Sequence, residues 1–346
     1  MQICTEERRK KVMKTFKTGK KNTGKDLWDQ KIREAGTIAI CGHIRPDGDS
    51  IGAALGLCTY ILDQYPDKEV DVYLEPIAEK FSFLRHSDRI RQTVPEGMVY
   101  DLFISVDCSD TGRFEAVLAD FEAASFRICV DHHVTNTGSF AELNFIEPDL
   151  SSACEVLADL FDPEKISLEC AEALFTGLVH DTGVFRHSNT SGKVMRIAGM
   201  LLDKGVNGEQ IINDTFFGKT YRQNLVMGRA LLESILMLKG KMIFSIFRKK
   251  DFSFYGVGPA DLDGIVSQMM LTEGVECAMF LYQTGEREYK VSLRSTDRVD
   301  VSAIAGLLGG GGHKKAAGCT VTGEARDIIM HVAHSVEQQL YPEIDE

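Results

Sequence analysis

The sequence predicts a two-domain α/β protein: an N-terminal, mostly parallel sheet with helices on both faces, then a smaller C-terminal α/β domain with a mixed sheet. Three observations predict it. Short apolar runs rich in β-formers alternate with segments of helical apolar spacing as far as Asp203. A polar, turn-forming stretch at 205–218 then interrupts the pattern, and a second group of strands follows it. A length of 346 residues exceeds one ordinary domain and suits two.

Taken in order, residues 37–44, 70–75, 102–106, 127–130 and 144–146 read as buried strands. Residues 50–64, 152–161, 168–179 and 194–203 carry apolar positions at helical spacing. A helix over 221–232 is expected to link the halves. Beyond it, 235–238, 242–248, 276–282 and 289–294 read as strands, with helices near 258–271, 301–307 and 325–340. The expected division is a basic arm over 1–25, a first domain over 26–205, a linker over 206–232 and a second domain over 233–346.

Composition removes several function classes. At 44% hydrophobic and 26% charged residues the chain suits a soluble protein with two cores. No apolar run approaches the roughly 20 residues needed to cross a bilayer, and the N-terminus lacks the apolar centre of a secretory signal. Cytoplasm is the expected location, with no membrane contact. Nine cysteines are scattered without a Cys-x-x-Cys pair, which suits buried thiols in a reducing compartment. Cys108 lies beside Asp107, but nothing marks it as a nucleophile. A net charge of −12 argues against a broad duplex-binding surface, yet leaves room for a short anionic substrate. The arm runs against that balance, with Arg8, Arg9, Lys10, Lys11, Lys14, Lys17, Lys20, Lys21 and Lys25 facing only Glu6 and Glu7. It reads as a solvated tail, with nucleic-acid attraction as the sharper alternative.

Four short strings carry the chemistry: His43-Ile44-Arg45-Pro46-Asp47-Gly48-Asp49-Ser50, Val106-Asp107, Asp131-His132-His133 and His180-Asp181-Thr182-Gly183. Three of them follow predicted strands, and ligands of open α/β sheets gather beyond the carboxyl ends of strands. Asp47 and Asp49 leave one tight loop, which Pro46 and Gly48 shape, and Ser50 is expected to cap the next helix. Asp107 ends an apolar run, where an unpaired carboxylate is costly unless cations neutralise it. Of His132 and His133, one is read as a metal ligand and its neighbour as facing substrate. Such a set suits two divalent metals, the usual apparatus for hydrolysing phosphate esters. Mixed His and Asp ligation favours Mn²⁺ over Mg²⁺ and leaves Zn²⁺, Co²⁺ and Fe²⁺ open.

The glycine-rich run from Leu307 to Gly318 is the second informative region. Its glycines are expected to expose backbone N–H groups to an anion. His313 with Lys314 or Lys315 would add charge, joined by Arg294, and by Arg113 and Arg186 from the first domain. His86, His331 and His334 read as exposed or structural. His180 is expected to point away from Asp181, His187 is ambiguous because Arg186 beside it has a claim on the cleft, and Trp28 reads as a packing anchor.

The combined pattern resembles the DHH phosphoesterase superfamily, named for the string Asp131-His132-His133. Gly309–Gly318 matches its associated C-terminal DHHA1 domain, so the likeness spans nearly the whole chain. Size and organisation look most like the bifunctional oligoribonuclease/pAp phosphatase branch, the nano-RNases; the basic stretch before Asp26 is the main departure. The resemblance implies a catalytic first domain, a substrate-binding second domain and an active site in the cleft between them. It implies that His43 and Asp47 hold one Mn²⁺, that Asp49, His132 and Asp181 hold the other, and that Asp107 bridges both. Asp131 would orient a ligand imidazole and His133 would contact the scissile phosphate. His313 with Gly310, Gly311 and Gly312 would bind a substrate phosphate, and Arg294 would be a further contact.

The expected activity is hydrolysis of short oligoribonucleotides or dinucleotides to mononucleotides, and of pAp to AMP, by attack of a metal-activated hydroxide on phosphorus. A cleft closed by the glycine-rich wall would limit substrate length. Alternatives are a cyclic-di-AMP or pApA phosphodiesterase, a manganese pyrophosphatase and a catalytically silent nucleotide-binding regulator. The sequence shows no dedicated protein partner and is compatible with a homodimer.

Overall fold

A computed structural model describes residues 21–341. All but the last five residues of the basic arm, and the final five residues of the chain, lie outside that range. The chain divides into one compact unit ending at Gly218 and another beginning at Lys219, within the stretch expected to act as a linker.

The first unit is a six-stranded sheet in the order β3-β2-β1-β4-β5-β6, with every neighbouring pair parallel. Its strands are β1 (Thr37–Cys41), β2 (Glu69–Tyr73), β3 (Ile90–Arg91), β4 (Leu102–Val106), β5 (Phe126–Asp131) and β6 (Leu143–Ile146). Strand β1 shows why both faces are covered. Ile38 and Ile40 enter the core under helices α2 (Gly48–Gln64), α4 (Ala153–Leu160) and α5 (Leu168–Asp181). Ala39 and Cys41 enter a second core with Phe114 and with Phe121 of α3 (Leu118–Ala123). Alternate residues of a strand point to opposite faces, so a run apolar at every position demands two covers.

Helix α1 (Lys21–Glu34) precedes the sheet and seats Trp28, fully buried, edge-on to Phe145. Helices α6 (Gly192–Asp203) and α7 (Gly208–Ile211) and a wide helical turn at Ile212–Phe217 complete the unit. The strand order reverses between the parallel neighbours β1 and β4: the chain proceeds from β1 to one edge through β2 and β3, then from β4 to the other edge through β5 and β6. That switch point opens a crevice at the strands' carboxyl ends, and the acidic strings follow those two strands.

The second unit has the strand order β11-β12-β10-β9-β8-β7, with only β8 and β9 parallel. Its strands are β7 (Ile235–Met237), β8 (Met242–Phe247), β9 (Cys277–Gln283), β10 (Glu288–Ser295), β11 (Gly311–His313) and β12 (Ala316–Thr322). Helices α8 (Tyr221–Leu232), α9 (Lys249–Tyr255), α10 (Ile265–Met269), α11 (Val301–Leu307) and α12 (Ala325–Leu340) pack around it. The single helix expected near 258–271 is broken at Gly264, whose φ of 80° ends the preceding turn before α10 begins. Strand β12, apolar at Ala317 and Cys319, was hidden in the sequence behind the glycines.

The described cysteines are all unpaired and buried. No described helix is long and apolar enough to cross a membrane.

Candidate metal centre

Asp107 is the first residue beyond β4 and is buried with 3% exposure. Its φ of 56° is unusual for a residue carrying a Cβ, and such strain concentrates at functional sites. One carboxylate oxygen, Oδ2, lies 3.3 Å from His43 Nε2. The other, Oδ1, lies 3.5 Å from His132 Nε2 and has no hydrogen-bond partner. A buried carboxylate oxygen without a partner costs on the order of 1–3 kcal/mol, more for a charge. Oδ1 also lies 3.6 Å from His133 Nδ1, so one side chain addresses His43 with one oxygen and His132 and His133 with the other.

Around those imidazoles the ligand atoms form overlapping groups, each within a 4.8 Å span: His43 with Asp47 and Asp107, Asp49 with His132 and Asp181, and Asp107 with His132 and His133. His43 Nδ1 lies 2.8 Å from the Ile44 carbonyl, which leaves Nε2 to face the carboxylates. His132 Nε2 stands 3.2 Å from Asp181 Oδ2 and 4.0 Å from Asp49 Oδ2.

Local structure fixes each acid. Asp47, rather than Ser50, caps helix α2: its Oδ1 accepts from the amides of Asp49 and Ser50 at 3.0 and 3.1 Å. Ser50 lies inside the helix, and its hydroxyl accepts from the His43 amide at 3.1 Å. Asp49 is fully buried and accepts from the Ala153 and Cys154 amides at the start of α4, at 2.6 and 3.0 Å. Gly177 makes room for it, because a Cβ there would come within 2.6 Å of Asp49 Oδ1. Asp181 closes helix α5.

Crowding shows in the protonation. Burial, then repulsion from Asp107, raises the Asp49 carboxyl to about 7. Burial with the Asp49 and Asp107 charges pushes Asp181 well above the usual carboxylate range. Burial resists charge on His43 and His132, yet neighbouring carboxylates outweigh it and raise both to about 10. Four carboxylates around two imidazoles, with one buried oxygen of Asp107 lacking a hydrogen bond, form a donor set that fits divalent cations.

Asp131 acts differently from expectation. Its Oδ1 lies 2.8 Å from His133 Nδ1, so it orients the imidazole assigned to substrate rather than the ligand His132. Positions two apart in extended chain point the same way, which pairs 131 with 133. Asn136 holds the other oxygen, donating from Nδ2 to Asp131 Oδ2 at 2.7 Å and to the Cys108 carbonyl at 3.0 Å. Asn136 and Gly177 were absent from the expected site, and Gly48, expected to shape the loop, serves by leaving room for the His180 ring rather than by a positive φ.

The cationic candidates are less committed. Arg113 is half-buried, with its carbonyl accepting from the Ile44 amide at 2.7 Å, and Arg186 is exposed. His187 Nδ1 lies 3.3 Å from the Asp181 carbonyl, and the ring backs Gly183. Within the second unit, Gly311, Gly312 and His313 form the exposed edge strand β11. The amides of Gly309 and Gly310 instead close helix α11, donating to the Gly306 and Ala305 carbonyls at 3.1 and 2.8 Å. An anion nest of four free glycine amides is therefore not what this run builds. Arg294 is half-buried on β10, its Nη1 donating to the Leu293 carbonyl at 3.0 Å, and burial lowers its pKa.

Comparison with known proteins agrees with this architecture. Residues 37–178 match the DHH family N-terminal domain, and residues 241–338 match the DHHA1 domain. The Thermus thermophilus protein named bifunctional oligoribonuclease and PAP phosphatase NrnA is 30% identical over 315 residues, covering 88% of this chain and 90% of that protein. Its Bacillus subtilis namesake is 25% identical over 82% of this chain and 89% of its own length. The crystal structure of an exopolyphosphatase-related protein from Bacteroides fragilis superposes with a TM-score of 0.83 at 22% identity, covering 92% of this chain and 96% of that one, which speaks for the fold. With both domain models in sequence order and a relative matched almost end to end, the chain belongs to the DHH family and carries a DHHA1 domain.

Proposed function

We propose that the chain is a divalent-cation-dependent phosphoesterase that hydrolyses short oligoribonucleotides to mononucleotides and pAp to AMP. The observation that carries the metal half of this reading is Asp107, whose Oδ2 faces His43 and whose buried Oδ1 faces His132 and His133 without a hydrogen bond. The substrate half is supported by the names of relatives matched over nearly their whole length.

In this reading His43 and Asp47 hold one cation, Asp49, His132 and Asp181 the other, and Asp107 bridges them. Mn²⁺ suits the mixed nitrogen and oxygen donors best. Bound there, the cation pair supplies a water acidic enough to ionise near neutral pH and offsets charge on the phosphoryl oxygens. The side chains do the rest. Asp131 holds His133 Nδ1, and its charge raises the pKa of that imidazole. The other ring nitrogen, on an imidazole with a 37% exposed side chain, is then free to donate to a substrate phosphate. Asp49 stays anchored by two amides, so the ligand geometry is set before substrate arrives. On the second unit, exposed His313 with Gly311 and Gly312 is the proposed phosphate contact, with Arg294 in register two strands away across Ala316. Gly310, Arg113 and Arg186 stay secondary candidates.

The test is a substrate panel with added Mn²⁺: pApA and other short RNA, pAp, cyclic-di-AMP and pyrophosphate. The expected result is turnover of short RNA and pAp, abolished in Asp107→Ala. Preferred turnover of the cyclic compound or of pyrophosphate would overturn the substrate assignment. Long RNA cleaved as readily as dimers would do the same.

A further inference from the structure

His180 precedes the ligand Asp181, yet no step above uses it. Its imidazole lies directly against Gly48, the residue between Asp47 and Asp49. A Cβ on Gly48 would come within 2.1 Å of His180 Cγ and 2.4 Å of Cδ2, so the ring occupies the space any side chain would need. On its far side, Nε2 lies 3.0 Å from Thr215 Oγ1. The hydroxyl hydrogen of Thr215 is already given to the Ile211 carbonyl at 2.8 Å, so Thr215 accepts and His180 Nε2 donates. Phe81 and Phe216 flank the ring at 5.3 and 5.5 Å between centroids. Thr215 is fully buried in the wide turn Ile212–Phe217, a rare geometry frequent at functional sites. That turn is the last element of the first unit.

We propose that His180 is a positioning residue, wedged between Gly48 and Thr215 so that the Asp47–Asp49 turn keeps the ligand spacing required for cation binding. Helix α5 then ends in two consecutive residues with complementary tasks: His180 braces the acidic turn from behind, and Asp181 faces the cations. The wide turn at Ile212–Phe217 exists on this account to present Thr215 to the imidazole. The inference rests on the metal reading above and adds a residue to it.

Leucine at 180 keeps bulk without a donor, glutamine keeps a donor without the ring, and Thr215→Val removes the acceptor. Mn²⁺ is titrated calorimetrically into the metal-stripped full-length chain, and amide exchange is followed at Gly48, Asp49 and Ser50. His180→Leu and Thr215→Val are expected to weaken Mn²⁺ binding about tenfold and to speed exchange in the turn. His180→Gln should restore most of the affinity, and the double variant His180→Leu/Thr215→Val should be no weaker than either single. A fall in melting temperature with unchanged Mn²⁺ affinity would overturn the proposal, as would losses that multiply in the double variant. If His180→Leu does not fold, Thr215→Val and His180→Gln decide the question by the same readouts. Asp107→Ala separates the two levels. Retained Mn²⁺ binding there rejects the metal reading, whereas loss there beside an unaffected Thr215→Val rejects only the role of His180.

Discussion

The two ligand clusters that share Asp107 are built to different electrostatic rules. Around His43, the Asp47 side chain is 56% exposed, and its carboxyl, resisted by burial but favoured by His43 and by two helix amides, falls to about 2. Around His132, Asp49 is fully buried and Asp181 mostly so, and both carboxyls are pushed up, Asp49 by burial and the Asp107 charge, Asp181 by burial and the Asp49 and Asp107 charges. In the first cluster the imidazolium sits between Asp107 and a largely solvent-facing Asp47, so water shares the remaining negative charge. The second concentrates negative charge that only a cation or a proton can relieve. Two sites with the same residue types therefore differ in what they cost when empty.

The sharpest way to break the comparison is to remove the residue common to both. Asp107→Ala should abolish hydrolysis, a loss of at least about a hundredfold, and should eliminate binding at both cation positions in a calorimetric titration. Retention of one full-affinity position would show that the clusters do not share a bridge.

Next in size is the orienting chain behind His133. Asp131→Asn keeps the size but weakens the acceptor, and Asn136→Ala frees Asp131. Each should lower kcat roughly 10- to 100-fold with little change in melting temperature. An effect confined to KM would place His133 in ground-state binding only.

The clusters also differ in response to protons. Metal uptake at the His132 cluster should expel protons from Asp49 and Asp181 and from the His132 imidazolium, so apparent affinity should rise with pH through about 7 and on toward about 10. Titration in two buffers of different ionisation enthalpy measures that release. For the metal-free protein the dependence is reversed. Folded Asp49 keeps its proton to about 7, whereas an unperturbed aspartate titrates near 3.8. The folded state therefore holds the extra proton across that window, and stability should fall as pH rises through it. Flat metal-free stability between those limits would contradict the crowding.

The smallest expected effect is a gain. Asp181→Asn removes a carboxyl whose ionisation is opposed by burial and by its neighbours, and once the pH is high enough to ionise Asp181 it should raise the metal-free melting temperature by about 2–4 °C per kcal/mol relieved while activity is lost. The matching Asp47→Asn change in the His43 cluster should not stabilise, since it keeps the helix cap but breaks an ion pair. Equal responses would erase the distinction between the clusters.

Much of this was legible from the sequence because the first unit is locally consistent. Apolar runs such as Leu102–Val106 are strands at every residue, and the acids follow them as an α/β sheet requires. What escaped depends on contacts distant in sequence. Asn136 reaches Asp131 and Cys108 only because β4 and β5 are neighbours. Gly48 and Gly177 look like flexible positions, yet they are voids filled by His180 and by Asp49 with Cys154. In the second unit, glycine punctuation masked a hairpin, since β11 and β12 pair across Gly311↔Gly318 with almost no side-chain signal. The cap at Asp47 rather than Ser50 is a shift within one loop, which residue type alone does not resolve when both residues are good caps.

The central claim is that Asp107 stands between two cations. An anomalous-difference map from crystals grown with Mn²⁺ tests it most directly. The account predicts two peaks, separated by about 3.5–4 Å, one near His43 and Asp47 and one near Asp49, His132 and Asp181, with an Asp107 oxygen on each. A single peak, or two peaks that leave Asp107 unliganded, would contradict it.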